Sequence, residues 1–161
     1  MKNSIRTFLF ITVLILFVAP SCNKDESELV KEGGPFKISE LAGNWEATSA
    51  FFGNENVTKN IIEDGGSLSL TVQSSGRCTI TIAPDDREAY TESGEMFWEL
   101  YEGDYYFAIK WDSYPDDWST YGATYTATTF SMNGGFDSGE YDFDNDGASE
   151  AAGLNFEFIR I

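Results

Sequence analysis

The residues best suited to chemistry in this chain are acidic side chains spaced two apart near its C-terminus. Asp142, Asp144 and Asp146 alternate, are followed by a glycine, and lead to Glu150. Ca²⁺ prefers about six to eight oxygen ligands, and carboxylates at loop positions 1, 3 and 5 with glycine at position 6 suit that need. On this alignment Ala148 at position 7 offers its carbonyl, and Glu150 stands at position 9. The spacing predicts a calcium site.

The same motif has a second interpretation, as the turn of a β-hairpin. Position 12, which usually supplies a bidentate glutamate, is Gly153, so the calcium site would be weak, or completed by Glu140 or by another loop. In the hairpin, Tyr141 and Phe143 point inward, the alternating acids point outward, and residues 145–147 make the turn. The residues leave both interpretations open.

A second candidate site is the aromatic and acidic segment over residues 111–121. Four large rings lie in or beside a loop that also contains proline and aspartate, namely Trp111, Tyr114, Trp118 and Tyr121. Flat rings beside carboxylates suit the apolar faces and hydroxyls of sugars, or a protein partner. The alternative is structural: Trp111 ends its strand in the core, and Trp118 covers an open barrel end.

Residue content argues against catalysis. The chain has no histidine, which removes Ser-His and Cys-His catalysis and the commonest nitrogen ligand of zinc. Cys78 alternates in phase with Ile80 and Ile82, so we interpret it as a small buried hydrophobe. Carboxylate pairs are uninformative, because 27 acidic residues guarantee that some lie close together. We predict a protein that is not an enzyme and that has no cofactor apart from the candidate calcium ion.

The N-terminus carries a location signal. Lys2 and Arg6 precede an apolar run over residues 8–19, whose 12 residues fall short of the roughly 20 that span a bilayer as a helix. Residues 1–21 therefore read as a cleaved signal peptide with Cys22 at the cleavage point. A lipidated Cys22 would anchor the protein to a membrane without spanning it, since each buried CH₂ is worth about 0.8 kcal/mol. In an ordinary secretory signal, Cys22 would be incidental.

This N-terminus resembles the lipoprotein signals of the Bacteroidota. Residues 22–26 are similar to their surface-export tag, in which a lysine and acids follow the lipidated cysteine. The resemblance implies a lipid-anchored location in the outer membrane, facing the cell exterior.

Charge excludes one class of partner. Removal of residues 1–21 leaves eight basic and 27 acidic residues, a side-chain charge of −19. Such a surface repels phosphate backbones, so we expect no nucleic-acid partner.

The rest of the chain divides into two parts. Residues 22–35 are polar, end in Gly-Gly-Pro and predict a flexible tether after the lipidated cysteine. Residues 36–161 are long enough for one domain. Segments such as 67–72, 77–82 and 105–112 alternate with a period of two, and residues 92–95 are predicted as a turn. The pattern predicts an all-β antiparallel barrel or sandwich.

Both ends of this domain resemble the lipocalins. Gly43-Asn44-Trp45 is similar to the Gly-x-Trp signature of their first strand, and the final segment with Arg160 is similar to the close of small lipocalin-like lipoproteins of the Bacteroidota. The resemblance implies an up-and-down β-barrel of about 8 strands. It also implies that Arg160 packs on Trp45, a cation–π contact worth about 0.5–2 kcal/mol.

These observations predict a non-catalytic outer-membrane lipoprotein that binds a small or extended ligand in the barrel mouth or at residues 111–121. One alternative is an accessory protein that captures glycans for a nutrient-uptake system. Another is a structural or interaction protein with a solid barrel and an acidic exterior that docks a partner protein. An apolar cavity of about several hundred cubic ångströms would favour the carrier. An interior filled by Trp45, Trp98, Phe107 and Phe156 would argue against it.

Overall fold

The structure is a computed structural model that describes residues 27–161, so the predictions for the signal peptide and for lipidation at Cys22 lie outside the described residues. No helix in this part of the chain is long and apolar enough to cross a membrane. Ten strands and one short 3-10 helix follow one another along the chain: β1 Glu28–Val30, the 3-10 helix Ile38–Leu41, β2 Gly43–Gly53, β3 Thr58–Asn60, β4 Ser67–Val72, β5 Arg77–Ala83, β6 Tyr90–Tyr101, β7 Asp104–Trp111, β8 Ser119–Tyr125, β9 Thr129–Tyr141 and β10 Glu150–Arg160.

Eight of these strands form a closed antiparallel barrel. Each strand from β4 to β10 pairs with the next one along the chain, and β2 closes the ring by pairing with both β4 and β10. This arrangement confirms the prediction of an all-β, up-and-down barrel of about eight strands. The two remaining strands are short additions, β1 along β6 and β3 along β2.

Alternating burial explains why these segments are strands. In β4 and β5, side chains alternate between the buried interior and the more exposed outer face. Successive side chains of a strand point to opposite faces, so leucine, valine and isoleucine at every second position fill the interior. The turn between β4 and β5 contains Gly76 at φ +90°, where an added Cβ would approach Ile38 Cγ2 and Met96 O to 3.0 Å. This turn therefore needs glycine.

The barrel has two different ends. At one end, here called the closed end, short turns connect the strands and the 3-10 helix packs against the interior with Ile38 and Leu41 fully buried. At the opposite end, here called the loop end, the connections are longer and cover residues 54–66, 84–89, 112–118 and 142–149. Longer loops on a rigid barrel are where binding sites usually form.

Strand β6 corrects one sequence prediction. Residues 92–95 were expected to form a turn, but they lie inside the continuous strand Tyr90–Tyr101 and pair with β5. The Glu-Ser-Gly-Glu composition favours a turn locally. Strand pairing on both edges of β6 overrides that preference.

The segment before the barrel also differs from expectation. Flexible tether was predicted over 22–35, whereas Glu28–Val30 is a strand paired with β6. The Lys31 ammonium forms an ion pair with the Glu95 carboxylate. Trp98 Nε1 donates a hydrogen bond to Phe36 O at 2.8 Å. Residues 28–36 are thus part of the folded domain, because they complete the edge of β6 that β5 leaves open.

Candidate functional site

The loop end contains a cavity of about 260 Å³. Its walls come from β6, the β7–β8 connection, β8 and β9, and Phe52, Leu154 and Phe156 line its apolar part. The four ring residues predicted as ligand-binding all line it: Trp111, Tyr114, Trp118 and Tyr121. The structure therefore brings together in one cavity residues that the sequence placed on a single loop.

Hydrogen bonds hold two of these rings in place. Trp111 Nε1 donates to the Tyr121 hydroxyl at 3.1 Å, and that hydroxyl donates to Ser138 O at 2.9 Å. Tyr121 is buried, and desolvation raises the pKa of its hydroxyl. Trp111 is also the last residue of β7 and packs against the core, so it has the structural role expected of it while lining the cavity.

The other two rings belong to the loop over the cavity. Tyr114 is 52% exposed, and its hydroxyl donates to Glu140 Oε1 at 3.1 Å. Trp118 is half-buried, and its backbone N–H donates to Asp117 Oδ1 at 2.8 Å. The Tyr114–Glu140 bond ties the loop to β9 across the mouth of the cavity.

Sequence reasoning missed Glu92, which also lines the cavity. Glu92 lies on β6 in phase with the buried residues Met96 and Trp98, so it faces the barrel interior. Desolvation raises the pKa of its carboxyl, and the negative charge of Glu140 raises it further. The period of two through Tyr90, Glu92, Met96 and Trp98 was the available signal, and the predicted turn at 92–95 concealed it.

Away from the cavity the barrel interior is packed. Trp45, Trp98 and Phe107 are each at most 2% exposed, and so is Phe156, which also lines the cavity. Edge-to-face contacts connect them with their neighbours, including Trp98 and Phe107 with ring centroids 5.7 Å apart. The interior is thus filled toward the closed end, and the cavity occupies only the loop end.

The predicted contact between Arg160 and Trp45 is confirmed. The guanidinium carbon lies 4.2 Å from the centroid of the Trp45 ring, and the two residues are direct partners in the pairing of β10 with β2. Arg160 also donates to Ala42 O at 2.6 Å and to Glu40 O at 2.8 Å. These bonds fasten the end of the 3-10 helix, so the pair seals the closed end.

The acidic motif forms the connection between β9 and β10. One carboxylate oxygen from each of Asp142, Asp144, Asp146 and Glu150 lies within 4.8 Å of the others. The structure therefore gathers four of the five predicted calcium ligands. The fifth, Ala148, is exposed, and its N–H donates to Asp146 Oδ1 at 2.8 Å.

The hairpin interpretation describes the same loop correctly in part. β9 and β10 do form a hairpin, and Tyr141 is buried while Phe143 packs on it with ring centroids 5.1 Å apart. The turn extends over residues 142–149 instead of 145–147 alone. Carboxylates organise it, since Asp142 accepts hydrogen bonds from Asp146 N at 3.2 Å and from the N–H of the next residue at 3.0 Å. The oxygens that form the turn include those predicted to bind calcium.

One cation lies beside this loop. Arg87 Nη1 is 3.6 Å from Asp142 Oδ2, and it donates to the Asp142 carbonyl at 2.6 Å. Its guanidinium also lies 5.0 Å from the centroid of the Tyr141 ring. Arg87 therefore offsets part of the negative charge at this position and joins the β5–β6 connection to the β9–β10 connection.

Comparisons with family models, with curated proteins and with solved structures return no match to this chain.

Proposed function

We propose that this protein is a non-catalytic binding protein that holds a small ligand in the cavity at the loop end of its barrel. The observation that carries the proposal is the convergence of Trp111, Tyr114, Trp118 and Tyr121 on one cavity of about 260 Å³. Binding pockets are mostly apolar clefts with a few placed polar groups, and this cavity combines aromatic walls with carboxylates. Its volume suits a small molecule rather than an extended chain.

Binding without catalysis is supported by the properties of the residues that could act as a general base or a nucleophile. The sequence has no histidine to serve as a general base. Burial raises the pKa of the Cys78 thiol to about 12, and the side chain is only 2% exposed. A reactive cysteine needs thiolate character and access, and Cys78 has neither, in agreement with its interpretation as a buried hydrophobe.

The proposal also includes a family and a cellular location for this protein. We propose a lipocalin-like barrel, supported by the up-and-down topology and by the Arg160–Trp45 contact, on an outer-membrane lipoprotein anchored through Cys22. β1 begins at Glu28, which pairs with Leu100 at the closed end. Six residue steps from Cys22 to Glu28 reach at most about 20 Å, so the closed end faces the membrane and the cavity opens away from it. Loss of acyl labelling in Cys22→Ser tests the anchor, and retained labelling would refute it.

A screen of neutral, anionic and cationic small molecules by thermal denaturation tests ligand binding. We expect at least one compound to raise the Tm of the wild type and of Phe136→Ala, an exposed ring on β9 outside the cavity lining. The same compound should leave the Tm of Trp118→Ala unchanged, because that substitution removes a wall of the site. If no compound raises the Tm, or if Trp118→Ala responds like the wild type, the proposed function is wrong.

The same variants separate the alternatives. If the protein captures an extended glycan, a polysaccharide matrix should retain the wild type but not Trp118→Ala. A structural protein with a solid barrel requires no response to any small molecule. We expect neither, because side chains from several strands and from the β7–β8 connection line a cavity beside a packed interior.

A further inference from the structure

We infer that the ligand of this cavity is a small organic cation whose ammonium group sits between the Glu92 carboxylate and the aromatic walls. This inference rests on the proposed function and deepens it by naming the chemical class of the ligand. It follows from the charges that line the cavity, from the surroundings of Glu92 and from the groups that the rings leave free.

The lining has one sign of charge. Within the described chain, four carboxylates line the cavity and no lysine or arginine does: Glu92, Asp117, Asp137 and Glu140. Clefts lined by a single sign of charge concentrate ligands of the opposite sign. The chain as a whole reinforces this potential with a formal charge of −17. An anionic ligand would therefore be repelled both on approach and at the site.

Glu92 lacks a partner where one is needed. Its side chain is half-buried and faces the barrel interior. Within residues 27–161 it has neither a hydrogen bond nor an ion pair, and the interactions acting on its carboxyl are desolvation and repulsion by Glu140. A carboxylate that is partly removed from water is stabilised when a cation or hydrogen-bond donors compensate it. A cationic ligand would supply this compensation and would also relieve the repulsion between the two glutamates, which a neutral sugar would not.

Three of the aromatic rings in the lining have their polar groups bonded within the protein. The Trp111 N–H is used by the Tyr121 hydroxyl, and the hydroxyl proton of Tyr121 is used by Ser138 O. The Tyr114 hydroxyl proton is used by Glu140. These three donors are occupied within the protein, and the ring faces of Trp111, Tyr114 and Tyr121 can each attract an ammonium group by about 0.5–2 kcal/mol.

Volume limits the size of the cation. The cavity of about 260 Å³ lies just below the range of about 300–1,000 Å³ typical of sites for drug-sized ligands. An ammonium headgroup with a short substituent fits this space. A long polycation would have to extend out through the mouth, past Tyr114 and Glu140.

Choline and 3,3-dimethyl-1-butanol provide the decisive pair of probes, because they share a shape and differ in the charge of one atom. We expect isothermal titration calorimetry on the wild type to give a Kd for choline at least tenfold lower than for the neutral alcohol. Glu92→Gln should weaken choline binding at least tenfold and leave the alcohol unaffected. Glu99→Gln, on the same strand but outside the cavity lining, should bind choline like the wild type. Glu140→Gln provides a second variant that reduces the same charge.

The outcomes separate this inference from the proposed function. Equal affinity for the two probes, or unchanged choline binding in both Glu92→Gln and Glu140→Gln, overturns the cationic ligand. Absence of choline binding, in a protein whose Tm still rises with a neutral or anionic compound in the screen, also overturns the cation and leaves the binding function intact. Failure of every compound in the screen overturns both.

Discussion

Replacement of Arg160 by methionine is expected to destabilise the barrel at its closed end. The guanidinium donates to three backbone carbonyls, those of Ala42 at 2.6 Å, Glu40 at 2.8 Å and Ala127 at 2.9 Å. It also lies 4.2 Å from the centroid of the Trp45 ring. Methionine retains apolar contact with that ring but donates no hydrogen bond. The substitution therefore removes the side-chain bonds from the last strand to the 3-10 helix and to the β8–β9 turn, while the backbone bond from Arg160 N to Thr128 O remains.

The magnitude follows from these contacts. Hydrogen bonds from a charged donor contribute about 1.5–3 kcal/mol each when buried, and neutral ones about 1 kcal/mol. Because Arg160 is only half-buried, water can replace part of each bond, so about 1 kcal/mol per bond is appropriate. The cation–π contact adds about 1 kcal/mol. Allowing for the ring contact that methionine keeps, we expect a loss of about 3 kcal/mol in the free energy of unfolding, or about 10 °C in Tm.

Urea denaturation followed by tryptophan fluorescence measures this loss. Arg77→Met is the matched control, since Arg77 makes a bidentate ion pair with Asp112 but the side chains are 41% and 54% exposed. Exposed pairs contribute at most about 1 kcal/mol. Arg160→Lys, which keeps the charge and one donor group, should lie between the wild type and Arg160→Met. If Arg160→Met is no less stable than Arg77→Met, the reasoning about the closed end is wrong.

Three further predictions concern the interior and the loop end. In a Cys22→Ser chain, Ellman's reagent should label Cys78 only after unfolding, because burial raises the pKa of its thiol to about 12; rapid labelling of the native protein would contradict this. Glu92→Gln should raise the Tm at neutral pH. Desolvation and the charge of Glu140 raise the pKa of the Glu92 carboxyl when the protein folds. The wild type therefore loses stability as the pH rises from the ordinary pKa of glutamate to the raised pKa in the folded protein. The gain should vanish below the ordinary pKa of glutamate, and a gain independent of pH would show that charge is not its cause. If the acidic motif binds calcium, as its spacing predicts, millimolar calcium should raise the Tm of the wild type but not of Asp144→Ala. Equal melting curves in calcium and in chelator would show that the loop binds no calcium and serves only as a turn.

Several elements of the fold were predictable because their signal is local. The alternation in Ser67–Val72 and Arg77–Ala83 expresses the two-residue period of a strand, and burial follows that period directly. The contact of Arg160 with Trp45 was anticipated from the resemblance of the two chain ends to lipocalins. The four rings of the cavity were identified because large aromatics in a proline- and aspartate-containing loop lack a core period.

Other elements were not predictable because their partners lie far away in the sequence. Glu28–Val30 has the composition of a tether, and it becomes a strand only because β6 has a free edge there. Residues 92–95 have the composition of a turn, and pairing with β5 and β7 makes them part of a strand. Glu92 joined the cavity as a consequence, so local propensity concealed a carboxylate of the cavity lining.

The sequence by itself determined the all-β class, the acidic and histidine-free character, and the two groups of candidate binding residues. These properties depend on composition and on short-range periodicity, which each segment carries alone. Only the tertiary structure decided that the barrel is packed at one end and hollow at the other, and that an unpaired carboxylate faces the rings. Closure of β10 on β2 sets these features, because it determines which inward side chains meet and which leave space between them.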